Sequence, residues 1–274
     1  MQPRDDEKVR EFIREAYKDV AEKDAESCCG SEAGACGPSC CGGAKHMDET
    51  AARLGYTEEQ VRQAPDGAHM GLGCGNPQAI ANLHEGETVL DLGSGGGFDC
   101  FLAARSVGES GRVIGVDMTA EMVARARSHA REGGYGNVEF RLGEIEHLPV
   151  ADETIDVIIS NCVVNLSTDK QQVFRDAYRV LKPGGRLAIS DTVALREMTD
   201  ELRGNLALVA ACVSGAEAAD TLRDLLVSAG FVEVRIIVAK GSREIVQGWG
   251  GDSGDGRAED LIASAMIEAV KPEK

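Results

Sequence analysis

Between residues 88 and 191 the chain alternates short apolar runs with longer stretches that repeat their apolar positions every three or four residues. Thr88–Leu92 (TVLDL), Arg112–Val116, Asn137–Arg141, Thr154–Ser160 (TIDVIIS) and Arg186–Asp191 (RLAISD) are runs of the kind that form buried parallel strands. Phe98–Val107, Thr119–Glu132 and Asp169–Leu181 have the helical period. Lys182-Pro183-Gly184-Gly185 stops the last of these and returns the chain to a strand. Alternating strand and helix units predict an α/β fold, a doubly wound and mostly parallel sheet.

Outside that block the periods change. Asp6–Ala25 carries Val9, Phe12, Ile13, Ala16, Tyr17 and Val20 at helical spacing, which predicts an amphipathic helix that packs on the main domain or covers a site mouth. Asp48–Ala64 reads as a helix with an acidic first turn. Glu197–Gly215 and Ala218–Ala229 read as helices, Val232–Ala239 and Leu261–Val270 as strands, and Gly248–Asp260 as a loop around Trp249.

Chemistry enters at the turn after the first strand. Asp91 stands near the strand end, and Gly93, Ser94, Gly95, Gly96 and Gly97 follow it. Strand, glycine turn and helix bring bare backbone N–H groups to a ligand at the carboxyl end of a sheet. A dinucleotide fingerprint wants a third glycine where Phe98 stands, which argues against a pyrophosphate-bearing cofactor. Asp117 closes the second strand, where a carboxylate accepts both ribose hydroxyls of a nucleoside. Glu144 and Ile145 follow the third strand, where an adenine would lie. Asn161 and Cys162 follow the fourth, at the crevice outside the strand ends.

Charge and cysteine content narrow the class. The formal net charge is −17, and such a surface repels phosphate backbones and anionic lipid, so neither nucleic acid nor membrane is an expected partner. An acidic excess with few lysines also suits a salty cytoplasm. No apolar run approaches membrane-spanning length and the first residues lack the apolar centre of a secretion signal, so a cytoplasmic location is expected. Nine cysteines, an odd count in that context, speak against a structural disulfide framework and leave thiols for metal, metalloid or redox chemistry. Five lie in Ser27–Ala44 (SCCGSEAGACGPSCCGGA), a stretch with too little apolar content for a core. Cys36-x3-Cys40 with His46 allows a loose zinc reading, behind thiols that serve a soft substrate or a redox relay.

The pattern of Asp91–Gly97, Asp117, Gly143–Ile145 and Lys182–Gly185 resembles the class I S-adenosylmethionine-dependent methyltransferases, whose Rossmann-like sheet binds a sulfonium nucleoside without phosphate. The resemblance implies that Gly93, Ser94, Gly95 and Gly97 cradle the methionine part, that Asp117 holds the ribose, and that Met118, Glu144 and Ile145 frame the adenine. The chain then divides into N-terminal helices and a Cys-rich segment over 1–75, an S-adenosylmethionine-binding Rossmann-like domain over 76–195, and a small C-terminal substrate region, an insertion with the last strands, over 196–274.

The acceptor side shows no evident base after the fourth strand but offers thiols at Cys74, Cys162 and Cys212. Thiolates select soft acceptors. Trivalent arsenic bound by three sulfurs keeps a lone pair that attacks a sulfonium methyl without losing a proton. The segments Gly71–Pro77 (GLGCGNP), Asp91–Cys100 (DLGSGGGFDC), Ser160–Ser167 (SNCVVNLS) and Ala211–Ala216 (ACVSGA) look like those of bacterial arsenite methyltransferases. That resemblance implies that Cys74, Cys162 and Cys212 bind arsenic or shuttle electrons, with an upstream thiol, Cys28 or Cys29, alongside. It implies arsenite or its thiol adducts as substrate, S-adenosylmethionine as cofactor, and thioredoxin-like proteins or glutathione as reductant. Cys100, on the helix after the glycine turn, reads as core. Two alternatives stay open: a methyltransferase of the same fold for a small organic acceptor, and a non-enzymatic metalloid-binding protein.

Overall fold

The computed structural model describes residues 6–26, 49–247, 249 and 257–273. Its strands are β1 (Thr88–Leu92), β2 (Arg112–Asp117), β3 (Val138–Leu142), β4 (Ile155–Asn161), β5 (Leu181–Ala194), β6 (Glu217–Ala218), β7 (Val232–Val238) and β8 (Ile262–Val270). They form one sheet in the order β3-β2-β1-β4-β5-β8-β7, with β6 paired to the end of β5. The first five strands are parallel, and β8 lies antiparallel between β5 and β7. The expected α/β class and mostly parallel sheet are therefore observed.

Period-two alternation along each strand builds a core on both faces. Leu90, Ile114 and Ile158 pack toward the helix Lys170–Val180, with Val173 and Phe174, and toward the helix Ala219–Ala229. Val89, Val113 and Val157 pack on the other face toward Phe101 of the helix Phe98–Val107 and Val123 of the helix Ala120–Glu132. Each such fully buried side chain contributes roughly 1.5–3 kcal/mol. Residues 196–274 supply both the last two strands of the sheet and a helical layer beyond β5.

Three elements depart from the expected bounds, each for a local reason. Gly55, at φ +91°, interrupts the segment expected as one helix over Asp48–Ala64. Residues 49–54 are helical, and a second helix, Glu58–Gln63, starts at a capping box in which Thr57 and Gln60 satisfy each other's backbone N–H. The segment expected as one helix over Glu197–Gly215 is two helices, Asp200–Gly204 and Leu206–Ala210, because Asn205 ends the first and caps the second through its side chain. Cys212 therefore sits in the irregular backbone past a helix end. Extended backbone begins at Leu181 rather than Arg186, and a register shift between Ile155 and Val157 absorbs the Lys182–Gly185 segment.

Strand order reverses between β1 and β4, which opens a crevice at the carboxyl ends of these two central strands. The first helix, α1 (Asp6–Glu26), buries Val9 and Ile13 and packs between the helices Ala120–Glu132 and Leu206–Ala210. Arg125 donates to the carbonyl of Ala21 at 3.1 Å, and the Tyr17 hydroxyl donates to that of Ala210 at 3.3 Å. Both expected roles of this helix are met, since it packs on the domain and borders the crevice.

Candidate active site

The crevice contains a cavity of about 360 Å³ bounded by the glycine turn, the end of β2, the Met70–Gly73 loop, α1 and Cys162 and Cys212. Its floor is the turn after β1. Gly93 holds φ +68°, and a Cβ there would overlap the side chain of Val163, so only glycine lets the turn pass beneath the β4 loop. Around Gly95 a Cβ would meet nothing, because that position opens on the cavity.

The residues present fit a nucleoside with an amino-acid tail. Ser94 Oγ is buried with no hydrogen-bond partner among the described residues, which leaves a donor for a ligand carboxylate. The Asp117 carboxylate accepts the N–H of Gly95 at 2.9 Å and that of Thr119 at 2.8 Å, keeping a lone pair on each oxygen for hydroxyl donors. Burial pushes its pKa up, and those two N–H groups oppose the shift. Met118 and Ile145 add apolar walls. Asp91 is buried at the floor and accepts the thiol of Cys100 at 3.2 Å, so Cys100 is the core residue expected.

Two candidate residues sit differently from their expected neighbours. Glu144 lines a separate depression and lies 3.4 Å from the Arg14 guanidinium of α1. The acidic side chain on the cavity wall after β3 is instead Glu146, which accepts the Ser167 hydroxyl at 2.5 Å. Asn161 borders the cavity, and its amide is fully engaged by neighbouring protein groups. Its Oδ1 accepts the N–H of Cys74 at 2.9 Å, and its Nδ2 donates to Gly75 O at 2.8 Å and Tyr56 Oη at 3.0 Å. The Tyr56 hydroxyl in turn donates to Asp99 at 2.8 Å.

This chain of bonds joins the helix after the glycine turn to the loop that carries Cys74. Burial pushes Asp99 up to about 6, and the Tyr56, Asn161 and Gln78 donors oppose it; Asp91 beside it is also pushed up by burial and by the Asp99 charge. Because the folded-state value exceeds the unfolded one, the folded protein binds the extra proton, and stability falls as pH rises through about 6. Thermal melts at pH 5.5 and pH 8 are expected to show about 1 kcal/mol more stability at the lower pH from this group. Asp99→Asn should reduce that slope by this share and leave the part that the similarly raised Asp191 contributes, whereas an unchanged slope would place its origin elsewhere.

The thiols converge beside the cavity, and Cys162 and Cys212 line it. Cys74, Cys162 and Cys212 are buried in one apolar cluster with Val9, Ile13, Leu166 and Val209, bordered by Tyr17 and Trp249. The Cys162 sulfur lies within 4.8 Å of the Cys74 sulfur, and the Cys212 thiol donates to the Cys162 carbonyl at 3.0 Å. Cys162 follows β4 at φ +61° and Cys212 follows its helix at φ +57°, so both cysteines adopt the left-handed region. Ser264 of β8 holds the Cys74 carbonyl at 2.5 Å. Burial pushes Cys74 up to about 11, and it pushes Cys162 upward together with the adjacent Cys212 and Cys74 groups. At neutral pH both are protonated thiols until a ligand displaces the protons. Asp191, at the end of β5, completes this corner; burial pushes it up to about 6. Cys28, Cys29, Cys36, Cys40, Cys41 and His46 lie outside the described residues.

Comparison with known proteins agrees with this layout. Residues 83–230 match the methyltransferase domain family. Across 98% of its length the chain is 49% identical to the arsenite methyltransferase of Halobacterium salinarum and covers 68% of that protein. The chain belongs to the arsenite methyltransferase family. It is also 48% identical to the arsenite methyltransferase of Aquipseudomonas alcaligenes over 60% of this chain, but spans only 49% of that relative. The crystal structure of an arsenic(III) S-adenosylmethionine methyltransferase from Chlamydomonas reinhardtii superposes with a TM-score of 0.56 at 34% identity, covering 81% of this chain and 72% of that one. Phosphoethanolamine N-methyltransferase 2 of Haemonchus contortus, at 18% identity and a TM-score of 0.62, shares the fold. Sequence reasoning about this family member missed Tyr56, Asp99, Glu146 and Asp191. Only Glu146 carried a signal, as a second acidic residue after β3. Among the described residues no helix is long and apolar enough to cross a membrane.

Proposed function

We propose that this chain transfers methyl groups from S-adenosylmethionine to trivalent arsenic supplied as arsenite or its thiol adducts. The observation that carries the reading is a cluster of three buried thiols from three separate segments, two of which, Cys162 and Cys212, line the same cavity as a nucleoside cradle. Gly93, Ser94, Gly95 and Gly97 would hold the methionine part, Asp117 the ribose, and Met118 and Ile145 the adenine. When bound, the cofactor supplies an electrophilic sulfonium methyl, toward which arsenic on thiolates presents a lone pair with no proton to remove. That removes the need for a general base, in line with the thiols and apolar side chains of that cluster.

The protein's share is positioning and exclusion of water. The Cys74, Cys162 and Cys212 thiols exchange onto arsenite one at a time. Each As–S bond forms as an As–O bond breaks, and the thiol proton leaves with hydroxide as water. Neutral thiols meeting neutral arsenite therefore release no net proton. Tyr17, Ile13 and Trp249 cap the apolar side of the cluster. Transfer of the methyl group takes arsenic from +3 to +5; two cysteine sulfurs leaving it as a disulfide would return the two electrons, and a small thiol such as glutathione, or a thioredoxin-like protein, would reduce that disulfide. The odd thiol upstream, Cys28 or Cys29, is the candidate for handing arsenic or electrons inward.

The test is direct. Purified full-length protein with S-adenosylmethionine, arsenite and a thiol reductant should yield methylated arsenic species on chromatography with elemental detection. Cofactor binding by calorimetry without any methylated arsenic would overturn the acceptor.

A further inference from the structure

Asp191 has no task in the chemistry above, although it is 1% exposed and stands among the thiols. One oxygen of its carboxylate, the Cys74 sulfur and the Cys162 sulfur all lie within 4.8 Å of one another. Main-chain donors hold the carboxylate there: the N–H of Thr192 reaches Oδ1 at 2.7 Å and that of Asn165 reaches Oδ2 at 3.2 Å. The Cys74 loop is fixed by Asn161 and Ser264, and Cys162 N–H donates to Ser190 O at 2.8 Å, so all three donors come from braced backbone.

The donor set is mixed. Trivalent arsenic takes three soft sulfurs and leaves a carboxylate idle. A divalent cation of the zinc type takes sulfur at about 2.3 Å and carboxylate oxygen at about 2.0–2.2 Å in a tetrahedron. Tetrahedral donors at such lengths lie roughly 3.5–4 Å apart, a contraction of about an ångström or less from the 4.8 Å envelope. The fourth position is open to water.

We propose that Cys74, Cys162 and Asp191 form a binding site for a divalent thiophilic cation, zinc or cadmium, that competes with arsenite for the two sulfurs. The inference rests on the arsenic-binding reading of those thiols only for the competition; the cation site itself stands on the three donors. Binding replaces two S–H bonds by two metal–sulfur bonds and releases the two thiol protons to the buffer. Asp191 contributes charge and a hard donor that arsenic does not use, so it separates the two ligands.

Cobalt(II) serves as the optical probe, in full-length protein with Cys28, Cys29, Cys36, Cys40 and Cys41 replaced by serine so that only this cluster reports. One cobalt per chain is expected, with sulfur-to-cobalt charge-transfer absorption in the near ultraviolet. Cys162→Ser and Cys74→Ser should each remove most of that absorption, and Asp191→Asn should raise the cobalt dissociation constant at least tenfold. Circular dichroism melts confirm that each variant is folded. Should Asp191→Asn not fold, Asp191→Glu, which shifts the carboxylate by one methylene, should still weaken cobalt several-fold. Arsenite should abolish the bands stoichiometrically. No cobalt uptake, or uptake equally tight in a folded Asp191 variant, overturns the site, and bands that survive excess arsenite overturn the competition. Methylation is assayed on separate wild-type protein. Asp191-dependent cobalt binding by a chain that methylates nothing would sink the methyl-transfer reading and leave the cation site standing.

Discussion

Cys162→Ser is expected to cut arsenite methylation by more than 100-fold while S-adenosylmethionine binds within a few-fold of wild type. The residue is the hub of the cluster, its sulfur within 4.8 Å of that of Cys74 and its carbonyl holding the Cys212 thiol. Serine keeps the volume and the place on the chain but offers a harder oxygen with little affinity for trivalent arsenic. Loss of groups that merely orient a ligand already costs about 10–100-fold at metal sites, so loss of the central donor exceeds that range. The cofactor cradle is built on other segments, the turn after β1 and the end of β2. Initial rates from arsenic speciation and calorimetric titration of the cofactor decide the matter. Turnover at wild-type rate would remove Cys162 from the arsenic ligands. A parallel collapse of cofactor binding would mean that the variant had lost the crevice itself.

Asn161→Ala should produce the second large effect, and on the arsenic side of the cavity. The amide of this residue holds the Cys74 N–H, the Gly75 carbonyl and the Tyr56 hydroxyl together. Removing it leaves several buried polar groups unpaired, at about 1–3 kcal/mol each before water or loop movement relieves them. The Cys74 loop, free of its clamp, should bind arsenite at least tenfold more weakly and slow methylation by a similar factor. Cofactor affinity should change less than threefold, because the glycine turn and Asp117 do not touch this amide. The converse result, intact arsenite binding with a weakened cofactor, would return Asn161 to the nucleoside side, where the strand-end position alone had placed it.

That contrast shows where sequence reading is strong and where it stops. The five parallel strands were legible because strands buried on both faces appear as continuous apolar runs, and the glycine turn because few other functions need so many glycines between a strand and a helix. Asp117 was legible since a strand end fixes its location within the crevice. Glu144 and Glu146 were not separable. They stand two residues apart in a loop after β3, and only the course of that loop decides that one faces Arg14 and the other the cavity. Asp191 lay in plain view within a predicted strand, yet its relation to Cys74 depends on pairing between segments more than a hundred residues apart. The break at Asn205 was hidden because Leu-Ala-Leu-Val-Ala on its far side has strong helical propensity and outweighed one capping residue in the pattern.

The left-handed backbone at Cys162 and Cys212 has a consequence for how this enzyme's fold and chemistry compete. A non-glycine residue there costs about 1–2 kcal/mol, so the two thiols together set aside a measurable part of the 5–15 kcal/mol that holds a typical domain. Glycine would relax both positions and would carry no sulfur. Glycine would also give up a buried side chain, at about 0.8 kcal/mol per buried methylene, and about 0.4–1 kcal/mol of chain stiffness. The strain relieved and the packing lost nearly cancel, so in a library screened for thermal tolerance without arsenic these two positions would drift almost freely, and only the chemistry keeps sulfur at both.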